Sequence, residues 1–144
     1  MKLALLLLAG CLTVVITGCI AFPAPAFGNK VESGERIQSA DVAFVRLGAT
    51  TREEFESKLG APWTNYTDLR VSVYCWEMVT GYWVWGWAVP FGGPSDGGVE
   101  HWTRTEILFV AFDEKDCVER LKMLRHPKNM STKEAALVWR KSDK

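Results

Sequence analysis

The chain has 144 residues with 17 basic and 17 acidic side chains, which is enough for one domain with a buried core. No basic stripe is present, so the charge pattern argues against binding to a nucleic-acid backbone. Seven residues are tryptophan, and five of them lie between Trp76 and Trp102. The sequence therefore predicts a globular domain with a concentration of aromatic residues in its middle.

The N-terminus has the pattern of a secretory signal. Lys2 is followed by an apolar run from Leu3 to Ile16, which is shorter than the roughly 20 residues that a membrane span needs. The run ends in Ile16-Thr17-Gly18-Cys19, which resembles the lipobox of bacterial lipoprotein signals. That resemblance implies that residues 1–18 are a signal peptide, removed by cleavage.

By the same resemblance, Cys19 becomes the lipidated N-terminus and carries several acyl chains such as palmitate. Each buried methylene group contributes about 0.8 kcal/mol, and several chains make membrane attachment stable. Ile20 stands where an Asp would favour retention at the inner membrane. We therefore expect an outer-membrane lipoprotein on the periplasmic side, with the inner membrane as the alternative location.

Residues 19–35 contain Pro23, Pro25 and Gly28 and show no helical or strand period. This composition predicts a flexible tether between the lipidated Cys19 and a domain at 36–144. Phe22 and Phe27 are close enough to the anchor to contact the lipid surface, although a plain linker is the simpler interpretation.

Two helices are predicted after the tether. Apolar residues between Arg36 and Leu47 recur at three- and four-residue steps, which is typical of one helix face: Ile37, Ala40, Ala43, Phe44 and Leu47. Gly48 follows, where a left-handed C-cap is expected. Thr50 and Thr51 each precede a glutamate by three residues, so either can open the capping box of a second helix. That helix would bury Phe55 and Leu59 and end at Gly60 and Pro62.

Three segments rich in β-branched and aromatic residues predict strands, at residues 71–80, 104–112 and 117–124. The polar turn at residues 113–116 favours antiparallel neighbours, so we expect a meander with the second strand in the middle. A capping box at Ser131-Thr132-Lys133-Glu134 predicts a short final helix over residues 132–141. A frayed tail is the alternative there.

Cys75 and Cys117 are candidates for a disulfide, because the expected compartment is oxidising. The predicted meander argues the other way. It places the first and third strands two spacings apart, roughly 9 to 10 Å, whereas a disulfide needs Cα atoms within about 7 Å. A bridge and two separate side chains in the sheet both stay open.

The segment from Leu47 to Pro62, LGATTREEFESKLGAP, resembles the signature of the SmpA/OmlA (BamE-like) family of outer-membrane lipoproteins. The resemblance covers about residues 40–123. It implies an α+β fold with an N-terminal helical hairpin packed on a three-stranded antiparallel meander sheet, as in β-lactamase-inhibitor-like modules, and the short helix would follow. The matching positions have structural roles in that fold: Gly48, Ala49, Thr50, Phe55, Leu59, Gly60 and Pro62.

Residues 81–103 depart from the family pattern, because this aromatic and glycine-rich insert is far longer than an ordinary hairpin loop. Trp83, Trp85 and Trp87 alternate, so residues 82–89 can extend the first strand with three indoles on one face. An exposed aromatic surface would suit a protein partner or the lipid headgroup zone, whereas the alternative is that the indoles cover the sheet. The candidate partner-binding residues are Tyr82, Trp83, Trp85, Trp87, Phe91 and Trp102.

The sequence contains no pattern typical of a catalytic or metal site. His101 and His126 are the only histidines, and no metal-ligand spacing involves them. The acidic turn at residues 113–116 lacks the glycine and final glutamate of a calcium loop and is expected to be solvated. A nucleophile pair of Cys75 or Cys117 with His101 is less plausible than simple packing. We therefore expect no enzyme activity, no metal and no cofactor.

These observations predict a non-enzymatic outer-membrane lipoprotein that faces the periplasm. The family resemblance implies a BamE-like adaptor in outer-membrane protein assembly or envelope integrity. Its partners would be the membrane, through the lipid anchor, and an envelope protein complex such as the β-barrel assembly machinery. The alternative is a periplasmic inhibitor or ligand-binding module on the same fold, with the 81–103 loop inserted into a target's cleft.

Overall fold

The computed structural model describes residues 20–25, 30–88 and 95–142. The predicted signal peptide, Cys19 and Phe91 lie outside the described residues. In chain order, the described elements are β1 Ile20–Pro25, β2 Val31–Ser33, α1 Arg52–Leu59, β3 Thr64–Tyr66, β4 Val71–Ala88, β5 Ser95–Phe112, β6 Val118–Arg125 and α2 Thr132–Lys141.

The described strands form one mostly antiparallel sheet with the order β1-β4-β5-β6, and β2 and β3 also pair with β4. β4 and β5 are both 18 residues long, and β-branched and aromatic residues, which suit a pleated surface, are frequent in β4 and in the second half of β5. β5 pairs with β6 from Glu106 opposite Arg125 to Phe112 opposite Val118, with a register shift before Phe112. The predicted order of the three central strands is therefore present, but they belong to a larger sheet.

The predicted fold is wrong: the described residues are mostly antiparallel sheet with two short helices, and they contain no N-terminal helical hairpin on a three-stranded sheet. Residues 36–47, the first predicted helix, form turns instead. Their hydrogen bonds span three residues, from Ala43 N to Ala40 O at 3.2 Å and from Val45 N to Val42 O at 3.1 Å. Leu47, which the helical pattern predicts to be buried, is 63% exposed.

Local chemistry explains why this segment is not helical. Half of its residues are strong helix formers, so intrinsic propensity does not exclude a helix, but a segment of this length is marginal as an isolated helix. The Asp41 carboxylate also accepts a hydrogen bond from Gln38 N at 2.7 Å, which is an alternative to helical bonding. Ile37 and Phe44 reach the core from turns, without a continuous apolar face.

The second predicted helix is α1, and its N-cap is Thr51, whose side chain accepts from Glu54 N at 3.2 Å. Thr50 does not cap it: its buried hydroxyl accepts from Arg46 N at 2.9 Å, and its carbonyl accepts from Val118 N at 2.8 Å. Gly60 has the expected positive φ of 80° and closes α1 by donating to Glu56 O at 2.8 Å.

Gly48 also has a positive φ, of 72°, but residues 36–47 in front of it are not helical. Its N–H donates to Val118 O at 2.8 Å, next to the bond that Val118 N gives to Thr50 O. The motif that resembles a helix-hairpin signature is thus attached to the start of β6. Phe55 is fully buried, while Leu59 and Pro62 are half-buried.

The chain divides into two compact units, residues 1–28 with 79–102 and residues 29–78 with 103–144. We call the described part of the first unit, residues 20–25, 79–88 and 95–102, the aromatic ribbon. We call the second the core unit. β4 and β5 contribute residues to both.

The core unit buries apolar side chains in two clusters. Phe55 of α1 belongs to the first cluster, with residues of β4, β5 and β6. In the second cluster, Trp139 of α2 stacks on Phe109 with ring centroids 5.3 Å apart. α2 is present where the sequence predicts it, and Ser131 and Glu134 form its full capping box.

Residues of the predicted tether take part in the sheet. β1 pairs with residues 81–86 of β4, and β2 pairs with Met78 and Glu77. A flexible linker would have no fixed strand partners, so the described part of residues 19–35 differs from the prediction.

Candidate interaction surface

The aromatic ribbon is built from three strand segments. In its register, Ile20 lies opposite Gly86, Phe22 opposite Val84 and Pro23 opposite Trp83. Successive side chains in a strand point to opposite faces. The ribbon therefore presents two faces, which differ in composition.

One face carries the predicted tryptophans, and we call Trp83, Trp85, Trp87 and Trp102 the indole face. The rings of Trp83 and Trp102 are stacked, with centroids 6.2 Å apart and an interplanar angle of 28°. Thr80 Oγ1 donates to Trp102 O at 2.9 Å, which ties β5 to β4 beside this pair. The alternation predicted from the sequence thus places the indoles together.

Two glycines make room for these rings. A Cβ atom at Gly81 would lie 2.9 Å from Cε3 of Trp102, and one at Gly98 would lie 3.0 Å from the indole of Trp85. Such distances are shorter than carbon atoms tolerate in a packed interior. The indoles at 85 and 102 therefore lie directly over these two glycines, where a side chain would leave no room for them.

The indole face is only partly covered by its own unit. Trp102 is 50% exposed and Trp87 is 37% exposed, while Trp83 and Trp85 are half-buried. Neighbouring exposed apolar side chains that form a contiguous patch are typical of interaction sites, because their area is available for burial by a partner, whereas a single exposed ring is ordinary.

The opposite face is apolar as well, and we call Ile20, Phe22, Val84 and Val99 the Phe22 face. Tyr82 and His101 belong to it, since they lie two residues from Val84 and Val99, and their rings meet edge to face at 5.1 Å. Ile20, Phe22 and Val99 are 65%, 50% and 56% exposed. Val99 and His101 were not predicted to lie on a surface of this kind, although their two-residue spacing in a strand would have placed them on one face.

Charge also separates the two faces. β1 and residues 79–88 of β4 contain no charged side chain. In the ribbon segment of β5 the two carboxylates are Asp96 and Glu100. Both lie an even number of residues from Trp102, so strand alternation places them on the indole face, opposite to Val99.

Cys75 and Cys117 are both free and half-buried. Cys75 packs against the second cluster, and burial, followed by the nearby Glu77 carboxylate, raises the pKa of its thiol. Cys117 Sγ lies 3.8 Å from Lys115 O. A raised pKa keeps a thiol protonated and unreactive, the reverse of what a nucleophile needs.

His126 is held by backbone and hydroxyl groups, with Nδ1 2.8 Å from Pro127 O and Nε2 3.1 Å from Thr132 Oγ1. Within the described ranges, no group of three or more His, Cys, Asp or Glu side chains is placed to hold a metal ion.

The acidic turn after β5 has structural partners. Asp113 Oδ1 accepts from Lys115 N at 2.8 Å and from Cys117 N at 2.9 Å, which closes the turn. Asp116 receives hydrogen bonds from Nε and Nη2 of Arg52, and this guanidinium lowers the pKa of the Asp116 carboxyl. Sequence analysis missed this pair, since no local pattern links residue 52 to residue 116.

Among the described residues, no helix combines the length and the apolar character needed to cross a bilayer. Comparison of the chain with family models, with curated proteins and with solved structures finds no match.

Proposed function

We propose that the protein is a non-enzymatic lipoprotein of the outer membrane that faces the periplasm and acts as an adaptor for an envelope protein complex. Acylation of Cys19 would supply membrane attachment, and the indole face would supply the contact with the partner. The observation that carries the proposal is the exposed aromatic area of Trp87 and Trp102, in a ribbon that begins directly after the lipobox-like sequence.

The indole face has the composition that binding sites favour. Tryptophan is enriched among the residues that dominate binding energy, because one ring buries a large area and loses little conformational entropy. Here the stacked pair and the glycines beneath the rings hold the indoles in place before a partner arrives. Pre-organisation of this kind reduces the entropic cost of association.

Asp96 and Glu100 at the edge of this face would favour a partner with basic groups around an apolar centre. A component of the outer-membrane assembly or envelope-integrity machinery, including the β-barrel assembly machinery, is the class of partner we propose. An inhibitor of a single periplasmic enzyme is the competing function, and it would use the same exposed rings.

A photo-crosslinking pull-down from membranes tests the proposal. A crosslinking amino acid replaces Trp87 in the ribbon or Trp63, which is 63% exposed in the core unit, as the matched control. We expect envelope-complex components to be recovered from position 87 and not from position 63. Trp87→Ala should reduce co-purification of the partner by more than tenfold, whereas Trp63→Ala should leave it unchanged.

Equal recovery from the two positions would contradict the indole face as the contact. Recovery of one soluble enzyme would favour the inhibitor function. The two functions also differ in their need for the anchor: Cys19→Ser should abolish an adaptor's activity at the membrane and leave an inhibitor's activity intact.

A further inference from the structure

We infer that the Phe22 face lies against the bilayer surface that receives the acyl chains of Cys19. The inference rests on the proposed lipid anchor and adds an orientation to it: the ribbon lies along the membrane, and the indole face is turned away from it. Two observations carry this assignment, namely the exposed apolar side chains and the distribution of charge.

The anchor would bring the ribbon to the membrane without selecting a face. In the sequence, Cys19 directly precedes Ile20. Ile20 is fixed in the sheet opposite Gly86. Acyl chains on Cys19 would therefore enter the bilayer beside this end of the ribbon, and a flexible tether would not separate the two.

The Phe22 face has the chemistry of a surface that enters the interfacial zone of a membrane. Ile20, Phe22 and Val99 are each at least half exposed, so their apolar area is available to acyl chains. The rings of Tyr82 and His101 combine an apolar body with polar atoms, which suits the level of the headgroups.

The charge distribution distinguishes the two faces as partners for lipid. Burial of a carboxylate at the acyl boundary is costly, and Asp96 and Glu100 lie on the indole face. The Phe22 face has no lysine or arginine either, so its attachment would depend on apolar area and not on anionic lipids. Membrane contact through this face should consequently be insensitive to salt.

Neighbouring positions on opposite faces provide a matched test. The full-length acylated protein would carry an environment-sensitive fluorophore at Val99→Cys or at Glu100→Cys, both exposed positions, in a Cys75→Ala and Cys117→Ala background. Each labelled protein is reconstituted into vesicles of phosphatidylethanolamine and phosphatidylglycerol that contain a nitroxide-labelled lipid. We expect quenching at position 99 to be several-fold stronger than at position 100, with no change at high salt.

Equal quenching at the two positions would overturn the inference, and stronger quenching at position 100 would show that the indole face contacts lipid instead. Mass spectrometry of the same samples determines whether Cys19 is acylated. An acylated protein without a difference between the positions overturns this inference alone. A protein without acyl chains overturns both this inference and the proposed anchor.

Discussion

The core unit and the aromatic ribbon share the two long strands β4 and β5, but they differ in how far they bury the side chains of these strands. In the core unit, residues of β4 and β5 are buried in two clusters that include side chains of α1 and α2. In the ribbon, β4 and β5 have β1 as the additional described strand, and large apolar side chains remain exposed on both faces. Burial in the core unit stabilises the fold, whereas exposure in the ribbon leaves area for partners.

This contrast is informative because aromatic content alone does not separate the two regions. Trp76 and Trp139 are almost completely buried, and Trp87 and Trp102 are not. What differs is the set of elements around each ring. A tryptophan-rich sequence therefore predicts neither a core nor a binding surface until its neighbours are known.

The largest expected effect comes from truncating a buried side chain of the core unit. Phe55 is fully buried between Phe44 and Tyr74, with ring centroids 5.9 and 5.7 Å away. Phe55→Ala should lower the free energy of unfolding by about 3–5 kcal/mol, measured by urea denaturation. Trp87→Ala should lower it by less than Phe55→Ala does, because that side chain is 37% exposed. A comparable loss for both variants would show that the ribbon's indoles are core residues.

An intermediate effect is expected within the ribbon. A Cβ at Gly81 would meet Trp102 Cε3 at 2.9 Å and Ala24 O at 3.3 Å, so Gly81→Ala should cost about 1–3 kcal/mol. It should also weaken the far-ultraviolet circular dichroism signal from the stacked Trp83 and Trp102. Gly86→Ala is the control, since its nearest neighbour would lie at an ordinary 3.7 Å. If the two variants behave alike, the indoles do not lie on the glycines as described.

The smallest effect concerns the edge of the first cluster. Tyr74 is 5% exposed and donates to Gly60 O at 3.1 Å. Burial and the nearby Glu56 carboxylate raise the pKa of the Tyr74 phenol to about 12, although the Arg52 guanidinium acts in the opposite direction. Because the folded-state pKa is raised, the stability that this group contributes is complete below about pH 10, the ordinary value, and is lost as the pH rises through about 12.

An absorbance titration of the phenolates checks this. The wild type should show one phenol that ionises near pH 12, and Tyr74→Phe should remove that transition and reduce the alkaline loss of stability. A phenol that ionises near pH 10 at this position would mean that the cluster is open to water.

The elements that sequence analysis predicted correctly are those set by local chemistry. α1 and α2 follow from Thr51 and Ser131, whose caps involve residues three positions away. The strand segments of β4, β5 and β6 follow from runs of β-branched and aromatic residues. The predicted helix at residues 36–47 is wrong because apolar spacing alone was followed, whereas the Asp41 carboxylate accepts from Gln38 N and the segment forms turns.

The remaining elements depend on pairing between distant residues. β1 contains Pro23 and Pro25, which are typical of linkers, and it is a strand only because residues 81–86 lie beside it. The candidate surface likewise depends on contacts between residues that are distant in the sequence. The alternation of Trp83, Trp85 and Trp87 was visible in the sequence, but the stacking on Trp102 and the existence of the Phe22 face depend on the positions of β5 and β1.

The pairing of β1 with β4 has a consequence for the order of folding. The turn between β5 and β6 joins neighbours in sequence, whereas the contact of Ile20 with Gly86 closes a long loop. Closure of long loops costs more chain entropy and is slower than formation of local hairpins. β1 should therefore join the sheet last, and the ribbon's two faces reach their final form only after the core unit has folded.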